Sequence, residues 1–268
     1  MRRVPPSSSS LLITLLSLSH PTRSRSTFQY HAYHTAFSTS RAMTSNADDA
    51  SSEWSSFDPK DLGAGGTYGL GISAVVPRPI ALITSLNSLD TNDQVLNCAP
   101  FSYTGLMSHD PPLLSHGIVI QNGGKKDTLR NIEDTKQYVC HMISEDWLSQ
   151  ANACSQAVDA SVSEVDLANL STLPSKYIQV PRIEQAKLAM ECVLESTKEV
   201  YNDDGKHTTT IVTGRIVNYH VHESVLKFKD GNPKKPLVDL ESMNFCGRAG
   251  GITYWPTGEG KAVPMKRP

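Results

Sequence analysis

The residues best suited to chemistry fall into four short clusters. In the first, Val76-Pro77-Arg78-Pro79-Ile80, two prolines stiffen the backbone on either side of a guanidinium, and the strand that follows carries Thr84 and Ser85 to its far end. The second, Asn97-Cys98-Ala99-Pro100-Phe101-Ser102-Tyr103, sets small residues beside Asn97 and Ser102, which lets a flat ligand approach the backbone. The third, Lys125-Lys126-Asp127-Thr128, places two ammonium groups at a helix start, where unpaired N–H groups favour an anion. It reads as a phosphate cradle, with the Thr128 hydroxyl as an added donor. The fourth, Gly247-Arg248-Ala249-Gly250-Gly251-Ile252-Thr253-Tyr254, lies near the C-terminus. His109 and His116 flank the Asp110-Pro111-Pro112 turn, and His116 is the candidate for assisting proton transfer. His220 and His222 sit two apart on one strand, but no further His or Cys follows at ligand spacing, so they read as solvated and no metal is expected.

These clusters need elements to hold them, and the strongest segments are short, β-rich and bounded by turn residues: 80–86, 95–103, 113–120, 138–143, 188–194 and 208–221. In the last, Ile211, Thr213, Arg215, Val217 and Tyr219 share one face, and Val212, Gly214, Ile216, Asn218 and His220 the other. Short helices are expected after Asp127, Ser144 and Ser163, each a residue type that caps a helix start. The glycine-rich stretches around Gly63 and Gly69 read as loops. Such an inventory is mainly β, without the regular strand and helix alternation of a doubly wound sheet. No Gly-x-Gly-x-x-Gly after a strand, Walker loop, Gly-x-Ser-x-Gly or His-Glu-x-x-His is present, so the familiar nucleotide and nucleophile signatures are excluded.

Taken in order, the four clusters resemble the FMN-binding split-barrel family, in particular its flavin reductase-like flavoproteins, also called the flavoprotein oxygenase group. The resemblance runs from about Ser73 to Tyr254. It implies a six-stranded Greek-key split β-barrel with a few peripheral helices, a homodimer, and FMN held near the dimer interface. By position, Arg78, Thr84 and Ser85 fall where the family borders the flavin, and Asn97, Cys98, Ala99 and Ser102 where it lines the isoalloxazine and ribityl chain. Lys126 and Thr128 match the phosphate side, and Arg248 and Tyr254 the motif that closes over the site. The function implied is an oxidoreductase that passes electrons from NADH or NADPH to the flavin and on to a small-molecule acceptor. The rival reading is a non-catalytic module that only binds FMN or another planar cofactor.

Composition sets the remaining bounds. The 268 residues carry 25 Lys and Arg against 27 Asp and Glu, but the first 47 hold five arginines, no lysine and no acid. The rest is therefore acidic, with 20 cations against 27 carboxylates, which argues against a general nucleic-acid footprint. No apolar run approaches the ~20 residues that cross a bilayer. Five widely spaced cysteines, none in a Cys-x-x-Cys pair, suggest neither a disulfide framework nor zinc, and read as small buried hydrophobes. Residues 1–47 have the composition of a cleavable targeting leader, a mitochondrial presequence fitting best and a secretory signal competing because Arg2 and Arg3 precede the apolar run Leu11–Leu16, with Met43 as an alternative start that would leave a cytoplasmic form. Residues 48–72 read as a polar segment leading into the fold, and 73–268 as the FMN-binding domain.

Overall fold

Alternating side chains make the strands, and the strands make one strongly connected sheet. The computed structural model describes residues 54–90, 92–121 and 123–258; the expected leader lies outside them. In chain order the elements are α1 (Pro59–Ala74), β1 (Arg78–Pro79), β2 (Ala81–Leu86), β3 (Leu96–Phe101), β4 (Thr104–His109), β5 (Pro112–Val119), α2 (Asp127–Thr135), β6 (Gln137–Met142), α3 (Leu148–Ala153) and α4 (Glu164–Leu167). The second half adds β7 (Thr172–Leu173), β8 (Arg182–Ile183), β9 (Leu188–Tyr201), β10 (His207–Val221), β11 (Leu226–Phe228), β12 (Pro236–Val238), α5 (Leu240–Met243), β13 (Cys246–Ala249) and β14 (Thr253–Pro256).

The expected six-stranded barrel is corrected here: the main sheet has seven antiparallel strands in the order β3-β2-β6-β9-β10-β5-β4. The added strand is β4. Its sequence, Thr-Gly-Leu-Met-Ser-His, has its two apolar residues side by side, so no period of two announces it. Both Leu106 and Met107 are exposed, and β4 is recruited by pairing with β5 across a short turn. The six expected strands do share one interior, to which β2, β3, β5, β6, β9 and β10 contribute Ile83, Phe101, Ile118, Cys140, Cys192 and Val212. On β10 the expected alternation holds, with Val212, Gly214 and Ile216 buried and Ile211, Arg215 and Val217 exposed. Gly214 has a steric reason: a Cβ there would lie 1.9 Å from the Tyr138 hydroxyl. All five cysteines are free and buried.

Residues 59–72, expected as part of a polar lead-in, instead belong to α1, which runs on to Ala74. Asp58 caps it by accepting from the Lys60 N–H at 2.9 Å, Pro59 occupies the first turn, and Gly63 kinks it at φ +63°. The Asp-Pro pair is a helix-start signal that the five glycines obscured, because glycine disfavours helix interiors. Only Ile72 of this helix is buried.

Two smaller features complete the frame. Helix α2 turns Leu129 and Ile132 into the interior. The three-stranded sheet β1-β13-β14 is tied to the end of β6, where the Cys246 N–H donates to the Ile143 carbonyl at 3.0 Å. At its centre Gly247 lets β13 pass β1, since a Cβ would stand 2.7 Å from the Pro77 ring.

Candidate functional site

The four clusters converge at one end of the sheet around a cavity of about 430 Å³. From β1 and β3 come Arg78 and Phe101, from the turn after β3 Ser102 and Tyr103, and from β5 Gly117 and Val119. Lys126 enters at the head of α2, Asn152 and Ser155 at the end of α3, and Arg248 and Tyr254 from the paired β13 and β14. Tyr68 and Ile72 of α1 close one side. Five of the expected site residues, Arg78, Ser102, Lys126, Arg248 and Tyr254, therefore line a single cavity.

Their bonding differs. Arg78 is buried, and its guanidinium donates to the carbonyls of Ile72, Val75 and Gly250 and reaches the Ser102 hydroxyl. It fastens the end of α1 to the turn between β13 and β14, so its first role is architectural. Arg248 donates twice to the Gly251 carbonyl and lies 4.5 Å over the Tyr254 ring, whose hydroxyl donates to Asn152 Oδ1 at 2.7 Å. Burial holds the Tyr254 phenol above its ordinary range, so it remains a donor. Lys125 is turned away and held charged by Glu133. Lys126 makes no ion pair among the described residues, and its ammonium sits 5.9 Å from the Phe101 ring. It is the cation left available to a ligand.

The other expected residues do not line the cavity. Thr84 donates to the Pro181 carbonyl at 2.9 Å. Ser85, Asn97 and Thr128 belong to a buried network: Thr128 Oγ1 donates to Asn97 Oδ1 at 2.6 Å, Ser85 Oγ donates to the same oxygen at 3.4 Å, and Asn131 Nδ2 donates to Ser85 Oγ at 3.2 Å. Cys98 is fully buried, which raises its thiol pKa, and Ala99 is half-buried beside the interior cluster. His116 is wholly buried, bonded to Thr104 Oγ1 at 3.0 Å and Tyr138 Oη at 3.1 Å, and burial lowers its pKa to about 4. It is a neutral core group, away from the cavity lining. His220, expected to be solvated, is only partly exposed. It meets the buried Glu191 carboxylate at 2.5 Å, which also accepts from Asn218 and from the N–H groups of Lys176 and Tyr177.

Sequence reasoning missed Tyr68, Asn152, Ser155 and Glu164. Phe101 and Tyr103 were within reach, since they flank Ser102 in the second cluster. Glu164 begins a four-residue helix and gives no local sign that it reaches back to β3, 66 residues earlier.

The arrangement suits an anionic ligand with a planar part. Its volume is within the roughly 300–1,000 Å³ of small-molecule sites. Three cations and no carboxylate occur among its described lining residues, although acids outnumber bases in this part of the chain. Phe101, Tyr103 and Tyr254 offer ring faces and edges beside those charges.

Residues 73–242 match the family described as flavin reductase like domain. An uncharacterized protein of Bacillus subtilis, YwrF, is 35% identical over 76% of this chain and 95% of its own length. Among solved structures, nitrilotriacetate monooxygenase component B from Bacillus cereus is similar with a TM-score of 0.71 and 29% identity, over 80% of this chain and all of that one. The 2-nitrobenzoate 2-nitroreductase of Pseudomonas fluorescens aligns with a TM-score of 0.67 and 29% identity, over 80% and 96%. A Shewanella frigidimarina structure described as having a split barrel domain shares the fold, with a TM-score of 0.62 at 19% identity. The mitochondrial placement expected from residues 1–47 is overturned: the relatives come from Bacillus subtilis, Halalkalibacterium halodurans, Aquifex aeolicus and Deinococcus radiodurans, which are bacteria.

Proposed function

This chain belongs to the flavin reductase-like family, and from that premise we propose that it binds FMN in the cavity and acts as an oxidoreductase, taking electrons from NADH or NADPH and delivering them to a small-molecule acceptor. The observation that carries the reading is the cationic, acid-free lining in an otherwise acidic chain. Lys126 is the group to meet the phosphate. Arg248 and Tyr254 would hold the ligand from the β13–β14 side, and Ser102 and the backbone around Pro100 and Phe101 would border the ring system. Bound there, the flavin supplies the redox chemistry that no side chain of the cavity carries. The protein's part is to position the ligand, keep a positive field on its phosphate and shield one side with Tyr68 and Ile72. No lining residue has to serve as general base or nucleophile.

A homodimer belongs to the same proposal. Leu106 and Met107, both about two-thirds exposed on the edge strand β4, would supply apolar surface for a second copy.

The test is the visible absorption spectrum of the purified chain, identification of any cofactor released by acid, and steady-state oxidation of NADH and NADPH with an added acceptor. A yellow protein that releases FMN and oxidises one nicotinamide faster than the blank is the expected result. A protein that neither holds nor takes up FMN overturns the proposal, and one that holds FMN without turnover reduces it to a binding module.

A further inference from the structure

Beneath the cavity, a chain of buried hydrogen bonds runs from one carboxylate to the turn that carries Lys126. Glu164 is 6% exposed. Its oxygens accept from Asn97 Nδ2 at 3.1 Å each and from the Cys98 N–H at 2.9 Å, and it pairs with no cation among the described residues. An asparagine amide has a donor end and an acceptor end, whereas an ionised carboxylate only accepts. Glu164 therefore decides which end of Asn97 faces it and leaves Oδ1 turned toward α2. There it receives the Thr128 hydroxyl at 2.6 Å. Thr128 lies in the first turn of α2, two residues after Lys126, whose carbonyl accepts the first helical N–H groups, from Leu129 and Arg130.

We infer that Glu164 is a positioning residue of this site: as a carboxylate it orients Asn97, and through Thr128 it sets the first turn of α2 from which the Lys126 ammonium reaches the cavity. The inference rests on the reading of that cavity as the site of a phosphate-bearing flavin. The titratable groups around Glu164 are the Cys98 thiol of β3, the Cys154 thiol just after α3 and the Asp127 carboxylate of α2. Burial, only partly offset by the N–H bonds, holds the Glu164 carboxyl above its ordinary range. Protonation makes one oxygen a donor and removes the preference that orients Asn97, so the arrangement weakens on the acid side.

The experiment uses the full chain and measures binding of FMN, and of riboflavin, which lacks the phosphate, by flavin fluorescence between pH 5 and pH 8. In Glu164→Gln the amide places a donor toward either Asn97 Nδ2 or the Cys98 N–H. The expected result is FMN binding about tenfold weaker at pH 7, the effect of losing one buried charged hydrogen bond. Riboflavin binding should stay within about twofold of wild type, since it has no phosphate for Lys126. The wild-type FMN curve should fall to meet that of the variant at the acid end. Ionisation of the FMN phosphate is common to both proteins, so their difference isolates Glu164. Thr128→Val breaks the same chain without touching the buried charge, and its effect should not add to that of Glu164→Gln. It also serves alone if Glu164→Gln does not fold. Wild-type FMN affinity in Thr128→Val, or equal losses of FMN and riboflavin in Glu164→Gln, overturns the inference while leaving the flavin site standing. Failure of the wild-type chain to bind either flavin brings down the site itself, and the inference with it.

Discussion

The cavity lining and the buried network under it are built from the same sequence clusters yet do opposite things. Lys126 lines the cavity and makes no ion pair among the described residues, while Thr128, two residues on, spends its hydroxyl on Asn97. Ser102 lines the cavity, and Asn97, on the strand before it, is directed at Glu164. The lining borders a cavity and is cationic, with Lys126 carrying no ion pair among the described residues; the network is buried, and its one charged group is a carboxylate. The difference teaches that a motif residue can belong to a site by supporting it. For the same reason, loss of the lining should cost ligand affinity, whereas loss of the support should cost stability first.

The largest effect expected is on neither the lining nor the network but on the interior that carries both, from acid: His116 is bonded to Thr104 and Tyr138, and His141 accepts from the Ile183 N–H at 2.9 Å and meets the Leu82 carbonyl at 2.8 Å. His116 and His141 are both buried with pKa values lowered to about 4 by desolvation. Their unfolded-state values lie near 6.5, so between 6.5 and 4 the unfolded chain binds more protons than the folded one, and stability falls as pH falls through that window. Each histidine contributes up to about 1.4 kcal/mol per pH unit. Urea denaturation from pH 7 to pH 4 checks this, and a flat profile would place both imidazoles in water.

Asn97→Leu comes next. It leaves Thr128 and Ser85 without their acceptor and strips the buried Glu164 of one of its two donors, a loss of about 3 kcal/mol. A shift in the urea midpoint of less than a third of that would mean that the network relaxes without cost, and the contrast between the two regions would fail.

Lys126→Ala should do the reverse, weakening FMN by about tenfold while stability stays within about 0.5 kcal/mol of wild type. Equilibrium flavin titration beside thermal unfolding separates the two readouts. Arg248→Ala should have the smallest effect, a loss of about threefold in FMN affinity, because this guanidinium already donates to the Gly251 carbonyl. A larger effect than that of Lys126→Ala would move the phosphate to the β13–β14 side.

The sequence alone determined the strands that alternate, the helix after Lys126, the four clusters and, through them, the family. These signals are local: Val212, Gly214 and Ile216 face inward because successive residues of a strand point to opposite sides. Only the tertiary structure decided the rest. Thr104–His109 became the seventh strand by pairing with β5, and a glycine-rich segment became α1, whose last turn meets the Arg78 guanidinium. His220 was claimed by Glu191 on the neighbouring strand, and His116 by the interior. Thr84, Ser85, Asn97 and Thr128 were drawn away from the cavity lining because their partners, Pro181 and Glu164 among them, arrive from loops and short helices tens of residues away. A hydroxyl or amide shows in sequence that it must bond; the partner that satisfies it is chosen by packing, which brings together segments that carry no mark of one another.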